Sequence, residues 1–253
     1  MKAMRLSFLL LTRPKEGVRQ ALAHPPSLRA LLLFLGIVGF LRGLLEALWL
    51  YGMAHKQGII LQLLLAEPGR FLLEGALFLA ANVMTAYLRW AMYAVLFLGI
   101  ARWFGRQVRF ADLRTLTGLM LGLYVAPVLV NGLYLVFPLP SIKFAVSPVY
   151  QPVIGLGQLV ATAWFAWAAY HIFRTVCGLE AREACLGALF VPLLDRVLFV
   201  GAAAAVFQLK PLTWLPVTLR MGLVTVGFLM VALLAVPFLL WLGRRLNSRE
   251  EAA

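Results

Sequence analysis

The chain has 253 residues, of which 63% are apolar and only 13% are charged, and its mean hydropathy is +0.91. Soluble domains carry about twice that share of charged residues. The composition therefore excludes a soluble enzyme or binding module and indicates a polytopic membrane protein. The net charge of +13 would suggest nucleic acid in a soluble protein. In a membrane protein it indicates basic loops facing the cytoplasm and its anionic lipid headgroups, so no nucleic-acid partner is expected.

The N-terminal segment, residues 1–27, is basic and amphipathic. Thr12 is predicted to cap a short helix with Pro14 in its first turn. Val18, Ala21 and Leu22 then form an apolar stripe on that helix. The pattern is typical of an interfacial helix on the cytoplasmic leaflet, and an ordinary basic lead-in to the first span fits it equally well.

Six apolar stretches are long enough to cross a membrane. They are residues 28–54, 71–101, 113–137, 151–174, 184–206 and 217–242. Fifteen Lys and Arg residues lie on the two termini and alternate connectors, against four on the other connectors. The positive-inside rule then places both termini in the cytoplasm. The predicted fold is an all-α, polytopic bundle of about six transmembrane helices in a bacterial inner (plasma) membrane.

Ionisable side chains at membrane depth are the first functional candidates, because each is costly to place there. The mid-span set is Arg42, Glu46, Glu74, Arg89, Asp195 and Arg196. Arg42 and Glu46 are four residues apart and share a helical face. Three acids against three bases favour internal ion pairs that fix helix packing, since arginine suits a permanent counter-ion. The alternative is a proton or ion relay through a polar core.

The third predicted span carries a polar and kinked face. Tyr124 and Asn131 are seven residues apart and share that face. Pro127 lies between them and permits a kink, because it removes one backbone hydrogen bond. These groups could line a substrate site, but interhelical hydrogen bonds and kinks also serve packing alone.

Motifs of catalysis are missing from the sequence: there is no phosphate-binding glycine loop, zinc-protease, serine-hydrolase or sugar-nucleotide signature. Cys177 and Cys185 are eight residues apart with no nearby histidine pair, which argues against a zinc or redox site. We expect no catalytic residue, cofactor or metal. An intramembrane enzyme remains an option only if a polar cavity gathers Glu74, Asn82 and His171.

Three segments together resemble a known family. They are residues 10–14 (LLTRP) with 17–18 (GV) and 24–25 (HP); residues 110–114 (FADLR) leading into 124–127 (YVAP); and residues 167–171 (WAAYH) through 176–184 (VCGLEAREA). This order is similar to the Yip domain family, named for Ypt/Rab-GTPase interaction in eukaryotes and widespread in bacteria. The resemblance implies a helical membrane domain with a membrane-organising or partner-binding role, and it supplies no catalytic residue.

The family core usually has five spans, which sets the expected domain organisation. Residues 28–206 would form the Yip-like membrane domain, 207–243 an additional transmembrane helix and 244–253 a short charged tail. The leading hypothesis is an adaptor or membrane-organising component that contacts a membrane-protein partner or a second copy of itself. Tyr124, Pro127, Gly178 and the charged core would then be structural determinants. The alternative is a permease for a small solute or lipid that uses the charges of spans one, two and five.

Overall fold

The computed structural model describes residues 2–55, 68–126 and 151–208. Every described element is helical, which confirms the predicted all-α class. The helices are α1 (Lys2–Thr12), α2 (Pro14–Ala23), α3 (Leu28–His55), α4 (Pro68–Trp103), α5 (Phe110–Met120), a 3₁₀ helix (Leu121–Val125), α6 (Gln151–Thr175) and α7 (Ala181–Gln208). The predicted segments 207–243 and 244–253, apart from residues 207 and 208 in α7, lie outside the described residues.

Four predicted spans coincide with α3, α4, α6 and α7 to within a few residues at each end. In the described part of the chain, two helices contain a stretch long and apolar enough to cross a membrane: Leu28–Ala47 in α3 and Gly75–Trp103 in α4. In each stretch only 33% of an 18-residue window is buried inside the protein. Most of this apolar surface therefore faces outward, as in a helix surrounded by lipid rather than in the core of a soluble domain.

The third predicted span, residues 113–137, is not one continuous α-helix. Helix α5 ends at Met120, and the chain continues as a 3₁₀ helix over Leu121–Val125. A 3₁₀ helix is narrower than an α-helix, which suits this crowded place: a Cβ on Gly122 would collide with the Ser7 hydroxyl. Residues 127–137, with Pro127 and Asn131, lie outside the described residues.

The N-terminal segment folds as two helices, where one had been predicted. Thr12 is the last residue of α1, and its hydroxyl donates to the Phe8 carbonyl at 2.9 Å. The predicted Thr12 cap is therefore wrong. Arg13 occupies the N-cap of α2 without a side-chain hydrogen bond, and Pro14 opens the helix as expected. The break falls at Arg13 because a proline disfavours α conformation at the residue before it.

Helices α1 and α2 form a hairpin that packs into the bundle. Gly17 lies so close to the α1 backbone at Leu10 that no side chain would fit there. Leu10 and Val18 are fully buried, and the Ser7 hydroxyl donates to the Leu119 carbonyl at 2.7 Å. The apolar stripe predicted on α2 is thus covered by protein, chiefly by α1 and α6.

Helices α3 and α4 pack closely through three glycines of α3, one above another at helical spacing. A Cβ on Gly39 would lie 2.7 Å from the Val83 Cα, and one on Gly43 would lie 2.9 Å from the Asn82 Cβ. Gly36 faces the Tyr87 hydroxyl in the same way. Small residues at such a seam let two helix backbones approach each other, which is the usual basis of helix association in membranes.

Aromatic and glycine contacts align the remaining helices. Phe97 of α4 stacks on Phe173 of α6 with ring centroids 4.5 Å apart, and Gly187 of α7 faces Phe173. These contacts, the α3–α4 glycine seam and the short connectors 104–109 and 176–180 place the starts of α3, α5 and α7 towards the same side of the bundle as the ends of α4 and α6, a region we call the loop end. Gly178 adopts φ +62° in the turn between α6 and α7, a conformation that favours glycine.

Candidate functional site

The Arg42–Glu46 pair lies on one face of α3, as their spacing predicts. Arg42 Nη2 lies 2.7 Å from Glu46 Oε1, and its Nε donates to the same oxygen at 3.0 Å. Their side chains are only 19% and 25% exposed. Arg42 Nη1 also donates to the Tyr124 carbonyl at 3.1 Å. One guanidinium therefore joins α3 to the 3₁₀ helix while it neutralises its own carboxylate.

Tyr124 lies between two arginines. The Arg42 Cζ is 3.7 Å from the centroid of the Tyr124 ring, and the Arg89 Cζ is 4.8 Å from it. A guanidinium within about 6 Å of a ring face is attracted by the ring's quadrupole, more strongly where water is absent. The buried Tyr124 ring thus links the cation of α3 to the cation of α4.

Arg89 of α4 pairs with Asp195 of α7. Nε of Arg89 lies 3.5 Å from Oδ1 of Asp195, and the side chains are 11% and 12% exposed. The Tyr93 side chain, one turn along α4, also interacts electrostatically with the Asp195 carboxylate. We call Glu46, Arg42, Tyr124, Arg89 and Asp195 the charge cluster. It runs without interruption from α3 through the 3₁₀ helix and α4 to α7.

The charged groups of the cluster meet at one place in the bundle, because the guanidinium groups of Arg42 and Arg89 both lie over the Tyr124 ring. Arg89 is the central residue of the apolar stretch Gly75–Trp103 of α4. A charge at the middle of a membrane helix lies well inside the hydrocarbon layer, where pairing is needed to make it tolerable.

The charge cluster consists of opposite charges held in close pairs. Arginine stays protonated at any physiological pH, so the two guanidinium groups that separate the carboxylates do not titrate. Each carboxylate has an arginine within ion-pair distance. Buried charges held in this way bind helices together in one arrangement, because separating them leaves a charge without its counter-ion in a medium of low dielectric constant.

Two sequence-predicted residues, Glu74 and Arg196, lie in α4 and α7, and their side chains are outside what the structure describes. The Asn82 amide donates to the Phe78 carbonyl of its own helix at 3.2 Å. Asn82 therefore serves the seam with α3.

The polar cavity proposed for an intramembrane enzyme does not gather Asn82 and His171. His171 lies two positions from Phe173, which stacks on Phe97. Asn82 lies fifteen positions from Phe97 along α4, so at about 1.5 Å per residue the two polar side chains are about 20 Å apart along the bundle. His171 instead lies against α2.

Two features of the site escaped sequence reasoning. Tyr93 interacts electrostatically with Asp195 and lies four residues after Arg89, so the shared helical face was an available signal. The insertion of α1 beside the 3₁₀ helix could not be predicted from the sequence, because the apolar run in α1 is short and α1 is held there by the small polar side chain of Ser7.

The cysteines and acids form no metal site in the residues that the structure describes. Cys177 is buried in the turn after α6 and Cys185 is exposed at the start of α7, both as free thiols. Burial raises the pKa of the Cys177 thiol to about 12. This thiol therefore behaves as an inert core residue.

Comparison with known proteins adds one finding. The family model described as the Yip1 domain matches residues 8–204, well over half of the chain. The match includes α2 to α7 almost entirely and all five residues of the charge cluster. No curated protein and no solved structure matches the chain.

Proposed function

The chain belongs to the Yip1 domain family of membrane proteins, and from that premise we propose that it is a non-catalytic adaptor or membrane-organising component. The observation that carries the proposal is the charge cluster. Its two carboxylates are engaged by arginines, and it ties four helical segments together. A domain whose helices are held in one arrangement by ion pairs is suited to presenting a fixed surface to a membrane-protein partner or to a second copy of itself.

The proposed topology is six spans in a bacterial inner membrane with both termini in the cytoplasm. Two observations support it. The described helices alternate in direction at the loop end, with α3, α5 and α7 beginning there and α4 and α6 ending there. The same end carries the arginines that follow α4 and α6, which the positive-inside rule assigns to the cytoplasm.

Recovery of partners from native membranes tests the adaptor role. The tagged full-length protein would be cross-linked in the membrane, extracted in mild detergent and compared with Asp195→Asn and Asp112→Asn. Both substitutions exchange a carboxylate for an amide, but Asp112 lies outside the cluster, in an ion pair with the largely exposed Arg109. We expect a reproducible partner, or a second copy, with the wild type and Asp112→Asn and reduced recovery with Asp195→Asn.

Transport is the alternative to the adaptor role, and a liposome assay distinguishes the two. Liposomes containing the protein would be loaded with a pH-sensitive dye, and a second set would carry a fluorescent lipid for a scrambling assay. The adaptor proposal expects both rates to equal those of empty liposomes. Proton flux or scrambling that is lost in Glu46→Gln or Asp195→Asn, together with no reproducible partner, would overturn it in favour of a permease.

A further inference from the structure

A basic groove lies between α2 and α6, separate from the charge cluster. Its volume is about 400 Å³. It is lined by Arg13, Pro14, Lys15, Glu16, Arg19, Trp167 and His171. The α1–α2 hairpin holds the basic side chains there, because the apolar face of α2 is anchored against α1 and α6. Neither the charge cluster nor the helix seams explain this groove.

The charge balance of the groove favours an anionic ligand. Three cations face one carboxylate, Glu16, which lies 3.7 Å from Arg13 and accepts a hydrogen bond from Gln20. In the described ranges neither Lys15 nor Arg19 forms an ion pair. Two cations beside one groove are thus available for a phosphate.

An apolar stripe leads away from the groove along α6. Val160, Trp164, Trp167 and His171 follow one another at intervals of four, three and four residues, so they share one face of the helix. The first three side chains are exposed. The Trp164 indole donates to the Leu11 carbonyl at 2.7 Å, which ties the stripe to the tip of the α1–α2 hairpin.

The depth of these groups matches the parts of a phospholipid. His171 lies four positions from the end of α6 at Thr175 and Val160 lies fifteen, which is about 6 Å and about 22 Å from the loop end. Lys15 and Arg19, which line the groove beside His171, are thus close to headgroup level. The tryptophans are where such rings border the headgroup region, and Val160 is at acyl-chain depth.

We propose that this groove binds an anionic phospholipid of the cytoplasmic leaflet. Lys15 and Arg19 contact the phosphate, and an acyl chain lies along the stripe from Trp167 to Val160. The inference rests on the proposed topology, which places the loop end at the cytoplasmic face, but it does not require the adaptor role. A free phosphate ion would use the same cations and would gain nothing from the stripe.

Lipid binding by the intact protein in nanodiscs tests the proposal. Phosphatidylglycerol would be titrated into a phosphatidylcholine background, and bound lipid counted by native mass spectrometry. The test variant is Lys15→Gln/Arg19→Gln. The matched control is Lys2→Gln/Arg5→Gln, which removes the same charge from exposed positions of α1. Because Lys15 and Arg19 line the groove and Lys2 and Arg5 do not, we expect about thirtyfold weaker binding in the test variant and less than about twofold in the control.

The substitution Glu16→Gln is expected to strengthen lipid binding instead of weakening it. It removes the one carboxylate lining the groove, so we expect phosphatidylglycerol to bind several-fold more tightly. Lys15 and Arg19 are exposed, so their variants should keep the wild-type gel-filtration profile and thermal stability.

Three results would overturn the proposal. Equal losses in the test and control variants would mean that only net charge attracts the lipid. Equal affinity for phosphatidylglycerol and phosphatidylcholine would remove the headgroup contact. Displacement by inorganic phosphate alone would make the groove a simple anion site. Partner recovery, measured in parallel on the same variants, separates each of these failures from failure of the adaptor role.

Discussion

Removing the Asp195 carboxylate tests whether the charge cluster holds the helices together. Asp195→Asn keeps the shape of the side chain and removes the charge 3.5 Å from Arg89. Two unit charges at that distance attract by about 5 kcal/mol at an effective dielectric constant of 20, while the amide is cheaper to bury than the carboxylate. Loss of one partner of a buried pair typically costs about 3–5 kcal/mol, and we expect about 3 kcal/mol here.

The pairwise part of that cost comes from a double-mutant cycle. The free energy of unfolding would be measured in mixed micelles, by titration with SDS, for the wild type, Arg89→Gln, Asp195→Asn and the double variant. We expect a coupling energy of at least about 2 kcal/mol, with the double variant more stable than additivity predicts.

The Arg109–Asp112 pair provides the matched control cycle. Its Nε–O distance is also 3.5 Å, but its side chains are 82% and 29% exposed. Because water screens an exposed pair, its coupling energy should stay below about 0.5 kcal/mol. Equal coupling energies in the two cycles would refute the view that the Arg89–Asp195 pair fastens α4 to α7.

Three further predictions concern the seams and the thiols. Gly39→Leu should lower the free energy of unfolding by about 1–3 kcal/mol or more, since its new side chain would meet backbone 2.7 Å away. The control Gly75→Leu, at a position with nothing within 4 Å, should be tolerated, and an equal loss of stability in the two variants would contradict the proposed seam. Ser7→Ala should cost about 1 kcal/mol in the same assay for its buried hydrogen bond, and no loss would place α1 outside the core. In inside-out vesicles at pH 8, a membrane-impermeant maleimide should label Cys185 within minutes but leave Cys177 unmodified, because a thiol with a pKa of about 12 is ionised to only about one part in ten thousand. Rapid labelling of the Cys185→Ala variant would disprove the burial of Cys177, and labelling of Cys185 only in right-side-out vesicles would show that the proposed topology is inverted.

Local patterns were sufficient for the helices and for one half of the charge cluster. Long apolar runs predicted α3, α4, α6 and α7, because a membrane helix can be recognised from the length and hydropathy of a single segment. Arg42 and Glu46 could be paired from spacing alone, since residues four apart are neighbours on any α-helix. Gly178 was singled out by the resemblance to the Yip domain family, and in the structure it adopts φ +62° in the turn between α6 and α7.

Contacts between distant segments were decided by the tertiary structure. Arg89 could have paired with any acid at its depth, and the choice of Asp195 depends on α7 packing against α4 through Gly187 and its neighbours. The 3₁₀ helix around Gly122 and the burial of α1 likewise depend on a close approach between segments more than a hundred residues apart. The sequence by itself therefore determined where most helices begin and end and that their charges needed partners. Which partners they found was decided by packing, because a membrane helix presents several similar faces and only the complete bundle selects the one that each neighbour contacts.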